Sequence, residues 1–109
     1  MTHPNSHLAY MAELDAFDRA RDDPTGIRIF AGTRSKATTM RHRLHYARRI
    51  LRNRNKEIYS PGDPLYGASV YDDITCTLRE DTAGEWWVYL ERSPFAIDKI
   101  ESLSQGDLP

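Results

Sequence analysis

The sequence predicts a small α/β domain of the α+β kind, with elements in the order α-β-α-β-β-α. Three observations predict it. Apolar residues recur at steps of three and four through residues 35–56, which is the period of one helix face. Two runs of strictly alternating residues flank Asp81-Thr82-Ala83-Gly84, as in an antiparallel hairpin. Pro and Gly clusters separate these stretches from one another and from shorter periodic ones at either end.

Ser6 can cap a first helix running to about Arg21, because Tyr10, Met11, Leu14 and Phe17 fall on one side at helical spacing. Asp22-Asp23-Pro24-Thr25-Gly26 ends it. Ile27 to Ala31 is β-branched and aromatic enough for a short, mostly buried strand, stopped at Gly32. Thr33 or Ser35 then offers a hydroxyl cap for the long helix, whose apolar stripe is Ala37, Met40, Leu44, Ala47 and Leu51, with Ile58 one heptad beyond. This helix is expected from about Ser35 to Lys56, about 33 Å at 1.5 Å per residue. The stretch from Ser60 to Tyr71 is loop-forming, with Asp63-Pro64 able to open a single helical turn. In the hairpin, Ile74, Cys76 and Leu78 share one face with Trp86, Val88 and Leu90. Ser93-Pro94 reads as a cap and first helical residue, and Ile97, Ile100 and Leu103 give a short closing helix.

The chain of 109 residues is long enough to bury roughly two-thirds of its unfolded surface in one core, so residues 1–109 are read as one domain. The ends, 1–6 and 104–109, are expected to be flexible. The apolar sheet face needs a cover, and the long helix is expected to lie across it. The other face, with Trp87 and Tyr89, is left to the first or last helix, or to a partner.

The formal net charge is −1, but the charge is segregated. Residues 24–56 hold ten Lys and Arg and no Asp or Glu. The flanking stretches are acidic, with two basic and five acidic side chains before this segment and three and eleven after it. About Leu44 as the centre of the buried face, Arg41, His45, Arg49, Arg52 and Lys56 form one strip of the long helix, with His42 beside it. Lys36, Arg43 and Arg54 form a second strip on the other flank, and Arg48 sits nearer the buried edge. No Glu or Asp at three or four residues within the helix relieves the repulsion along these strips.

Such a rod suits a phosphate backbone, because guanidinium forks bind phosphate bidentately. The expected function is therefore a non-catalytic nucleic-acid-binding accessory protein, using Arg41, His45, Arg49, Arg52 and Lys56, with Arg43 and Arg54 assisting. Asn53 and Asn55, interleaved with the arginines, are candidates for base-edge contacts. His42 and His45, with a reference pKa near 6.5, are expected to be partly charged and to strengthen polyanion binding as pH falls.

Two other readings use the same charges. In one, the helix is neutralised by this chain's own Asp72, Asp73, Glu80, Asp81, Glu85 and Glu91. In the other, the protein is a small regulator or inhibitor of the kind phages encode. It would bind an acidic protein surface or a second copy of itself through its charged faces, with Trp87 and Tyr89 as anchors.

Catalytic chemistry finds little support. His3 with His7 and His42 with His45 have helical ligand spacing, but no carboxylate stands at ligand spacing near His42. Asp72-Asp73 with Glu91 resembles a magnesium-holding arrangement, and the lysine expected after Glu91 is replaced by Arg92. The one cysteine, Cys76, is expected in the core and inert, which leaves no disulfide and no multi-cysteine zinc site. No phosphate-binding glycine loop or serine elbow is present. No cofactor or metal is therefore expected. No apolar run is long enough to span a bilayer and the first residues do not resemble a signal peptide, so a cytoplasmic protein without membrane contact is expected.

Overall fold

A computed structural model describes residues 9–93. Its elements are α1 (Met11–Asp22), β1 (Ile27–Gly32), α2 (Arg34–Ile58), β2 (Ile74–Glu80) and β3 (Trp86–Arg92). The closing helix expected after Ser93, the ends 1–6 and 104–109 and the pair His3 and His7 lie outside the described residues. The three strands among the described residues are antiparallel, in the order β1-β3-β2, so the last of them in sequence is the central one. No helix among the described residues is long and apolar enough to cross a membrane.

The chain turns from α1 into β1 through Asp23-Pro24-Thr25-Gly26. Asp23 accepts from both the backbone N–H and the hydroxyl of Thr25, and Gly26 N–H closes on Asp23 O at 3.0 Å. Gly26 has φ +81°, and an added Cβ would stand 2.7 Å from Leu90 O, so both the turn and the approach to β3 require glycine. Strand β1 pairs with β3 from Ile27↔Leu90 to Gly32↔Trp86, with a bulge between Phe30 and Gly32.

Helix α2 begins where the hydroxyl of Thr33 accepts Lys36 N–H at 3.2 Å, so the cap is Thr33 rather than Ser35. It ends at Ile58, two residues later than expected. Ala37, Leu44 and Ala47 are buried as the stripe demands, but Ile58 is 58% exposed beyond the sheet. Helix α1 starts at Met11, where Tyr10 gives no side-chain cap bond, and the expected cap Ser6 lies outside the described residues; its inner residues are Phe17 and Ala20, and Met11 is exposed. Phe17 stacks on Tyr71 with ring centroids 5.2 Å apart. Both helices pack on the same sheet face, where Ile74, Cys76, Val88 and Leu90 are buried with Phe17, Ala20, Ala37 and Leu44. Among the described residues no helix covers the other face. Cys76 lies in this core as expected, and burial pushes its thiol pKa up, which keeps it protonated.

The segment joining α2 to β2 is a chain of turns. Asp63-Pro64 opens a turn in which Asp63 accepts Leu65 N–H, and no helix forms there. Further along, Ser69 Oγ accepts Tyr71 N–H, and Asp72 accepts Ser69 N–H. Tyr71 O–H donates to Asp18 of α1. Burial first, and then this carboxylate, push the Tyr71 pKa up to about 12.

One charged side chain ties these parts together. Arg48 is 7% exposed, and its Nη1 donates to Tyr71 O at 2.7 Å and Ile74 O at 2.6 Å. Its guanidinium also lies 5.3 Å from the Phe17 ring centroid. The wheel position near the buried edge was therefore an understatement: Arg48 is inside. A guanidinium there donates to two carbonyls at the entry to β2, adding to the Ile74 N–H that Tyr71 O already accepts at 3.1 Å, and an apolar residue would supply neither bond.

Arg48→Met should lower stability by about 3 kcal/mol, since hydrogen bonds from charged donors are worth roughly 1.5–3 kcal/mol each. In thermal unfolding this is a fall in Tm of roughly 10–20 °C for a domain of this size. Arg48→Lys should recover only part of it, because an ammonium lacks the planar fork. A Tm unchanged in Arg48→Met would show that the two carbonyls do not depend on this donor.

Candidate nucleic-acid interface

The residues expected to bind phosphate divide into those the fold already uses and those it leaves open. Arg43 is used. Its Nε donates to Glu13 of α1 at 3.0 Å, its Nη2 donates to Ala9 O at 2.9 Å, and its guanidinium lies 4.6 Å from the Tyr10 ring centroid. Three kinds of partner on one side chain make Arg43 the clamp between α1 and α2. Arg52 donates from Nε to Asp72 at 2.9 Å. Both partners are substantially solvent-accessible, and an exposed pair of this kind is worth about 0.2–1 kcal/mol, so phosphate can displace Asp72 at little cost. Asn55 donates to Ala68 O at 2.7 Å, which removes it from base reading; Asn53 remains exposed.

Of the ten cationic side chains in residues 24–56, the described residues give an ion pair to two, Arg43 and Arg52. Two of the acids expected to neutralise the helix, Glu91 and Asp81, are occupied elsewhere. Glu91 pairs with Arg79 across the sheet at 2.8 Å. Asp81 accepts from Ala83 N–H and Glu85 N–H in the hairpin turn and from Trp87 Nε1, and the Trp87 bond leads in holding its carboxyl below the usual range. Asp72 reaches α2, and so does Glu13, which the charge pattern did not single out. Internal neutralisation is thus partial. Asp72 and Glu91 hold different arginines, and among the described residues no group of His, Cys, Asp and Glu is placed to hold a metal ion.

What stays open is one exposed side of α2. Arg49, Lys56, His42 and His45 are exposed there, with Arg41 half-buried beside them. Arg34 lies on the same side, its guanidinium 5.6 Å from the Trp86 ring centroid. It was missed because the helix was expected to begin one residue later; its wheel angle would have found it. Lys36 and Arg54 are exposed on the opposite flank, so the two strips do not form one surface. Tyr46 was also missed. With His42, His45 and Arg49 it lines a hollow of about 250 Å³ on the helix surface.

His45 departs from its expected charge. Partial burial, followed by the nearby charges of Arg48, Arg41, His42 and Arg52, pulls its pKa below 6.5. Its Nδ1 lies 3.3 Å from Nη2 of Arg48. A guanidinium has no lone pair to offer, so Nδ1 accepts and the proton of the neutral ring sits on Nε2.

The outer sheet face forms a second candidate surface. Arg28 lies 3.8 Å from the Trp87 ring centroid and Arg79 lies 4.3 Å from that of Tyr89. Phe30 meets Trp87 edge-on at 5.1 Å and is 55% exposed. Trp87 and Tyr89 are half-buried within this ladder, with Phe30 as its most open aromatic.

Compared with protein-family models, with curated proteins and with solved structures, the chain matches none.

The depressed pKa of His45 sets the sign of a pH effect. The unfolded chain binds the His45 proton more readily than the folded one, so this group costs stability as pH falls below about 6.5 and costs none well above it. His45→Gln, which keeps an acceptor for Arg48, should flatten the loss of stability between pH 6.5 and 5 in urea unfolding. An identical pH profile for both proteins would place the His45 proton outside the folding equilibrium.

Proposed function

We propose that the protein is a non-catalytic module that binds nucleic acid by laying the exposed side of α2 along a phosphate backbone. The observation that carries this reading is the partial neutralisation of the helix. Arg41, Arg49 and Lys56 stand along one side of a 25-residue helix, and the described residues supply none of them with a carboxylate. Arg52 joins them by exchanging Asp72 for phosphate. His45, neutral at pH 7, contributes as a hydrogen-bond donor rather than as a charge. Binding of this kind gives affinity with little sequence choice, since phosphates carry no base information.

A second reading has an observation of its own. The outer sheet face is uncovered among the described residues, and Phe30, Trp87 and Tyr89 between Arg28 and Arg79 fit a protein partner with apolar and acidic groups. This is the regulator reading, with Phe30 added to its anchors.

Titration of labelled duplex and single-stranded DNA and RNA at several salt concentrations tests the first reading. Four phosphate contacts, from Arg41, Arg49, Arg52 and Lys56, should give a log–log salt slope of about −3.6 on duplex, and Arg49→Glu with Lys56→Glu should reduce that slope by about 2. Absence of binding at low salt to all four nucleic acids ends the reading. A stoichiometric protein partner lost in Phe30→Glu but retained by the helix double variant would favour the second.

A further inference from the structure

The hollow on α2 differs from the rest of the basic strip. Along the strip, cations follow one another a turn apart and meet a polyanion one charge at a time. In the hollow, four side chains from two adjacent turns converge: His42, His45, Tyr46 and Arg49. His42 and Arg49 each stand three and four residues from the adjacent pair His45 and Tyr46, and all four line one patch of helix surface.

Each wall is held. Tyr46 stands with its ring 5.5 Å from that of Tyr10, and Tyr10 lies under the guanidinium of Arg43, which is itself clamped to Glu13 and Ala9. His45 is oriented by Arg48, whose contact with Nδ1 leaves Nε2–H, on the far side of the ring, as the free donor. Arg48 is fixed in turn by the carbonyls of Tyr71 and Ile74. Arg49 has no carboxylate partner among the described residues, whereas Asp72 pairs with Arg52 and Glu13 with Arg43.

The hollow is therefore lined by donors, without a carboxylate, and two of its walls are positioned by contacts that do not depend on a ligand. We propose that His42, His45, Tyr46 and Arg49 form a binding site for a terminal phosphate group, the monoester at the end of a nucleic-acid strand. A phosphodiester presents one negative charge and two free oxygens to such a site. A terminal phosphate presents nearly two charges and three free oxygens, so converging donors favour the end of a strand over its interior. The volume of about 250 Å³ admits the phosphate and the first atoms of the sugar that carries it. The rest of α2 then serves the neighbouring diesters, so the inference rests on the reading of α2 as a phosphate-binding surface.

The test compares two oligonucleotides of one sequence, 5′-phosphorylated and 5′-hydroxyl, by fluorescence anisotropy with the full chain. The phosphorylated strand should bind about tenfold more tightly, the worth of one charge-assisted hydrogen bond. His45→Ala and Tyr46→Ala should bring the ratio close to one. Arg54→Ala, on the opposite flank, should leave the ratio unchanged. Equal affinity for the two strands in the wild type overturns the terminal-phosphate site and leaves the strip reading standing. If neither strand binds, the strip reading fails, and inorganic phosphate alone decides the site. A saturable shift of the His42 and His45 ring resonances, absent with chloride at equal ionic strength, then supports the site, and no shift overturns it.

Discussion

The fold depends on a charge placed where charges are seldom found. Arg48 sits in the interior among Phe17, Tyr71 and Ile74, held by two backbone carbonyls and a histidine nitrogen. The described residues give it no carboxylate, so its charge is solvated by dipoles and not cancelled. Two consequences come from this single arrangement. The carbonyls at the entry to β2 are satisfied, which aligns β2 with the long helix. The uncancelled charge also reaches the surface one turn away, where it helps keep His45 neutral.

Residues that build the fold and residues left facing solvent are separated around the circumference of α2. The inner stripe of Ala37, Leu44 and Ala47 meets the sheet. One flank belongs to α1, through Arg43 and its partners Glu13, Ala9 and Tyr10. The other flank carries Arg41, His45, Arg49, Arg52 and Lys56, of which only Arg52 has a carboxylate among the described residues, and that one is weakly held. The arginines differ in role although they are alike in sequence. Arg43 and Arg48 each satisfy several acceptors and build the fold, while Arg49 satisfies none that the described residues show.

Much of this was legible in the sequence. The core of α2 and the hairpin came from periodicity, which is strong because one face of each element must be apolar along its whole length. The inner residues of α1 were less clear: with the helix beginning at Met11, Phe17 and Ala20 turn inward and Met11 faces solvent. The role of Arg48 was invisible, because its partners are carbonyls of Tyr71 and Ile74, and every residue has a carbonyl. Asn55 was misread for the same reason, since Ala68 O gives no sequence signal. Strand order was equally hidden, because pairing between β1 and β3 joins positions more than fifty residues apart. The candidate strip was legible as charge, but which charges the fold consumes became clear only with Glu13 and Asp72 in place.

The central position of β3 also bears on how the chain reaches this structure. Its register joins Ile27 to Leu90 as well as Cys76 to Leu90, so neither outer strand has a sheet neighbour until β3 exists. A chain growing from its N-terminus can form the long helix early, yet its apolar stripe has no complete surface to rest on until synthesis passes Arg92. The domain must therefore assemble late and nearly all at once, after a long-range closure that slows folding relative to a fold of local contacts. During that interval the crowded arginines of α2 act as gatekeepers, since their mutual repulsion keeps nascent chains apart while the stripe beside them is still bare.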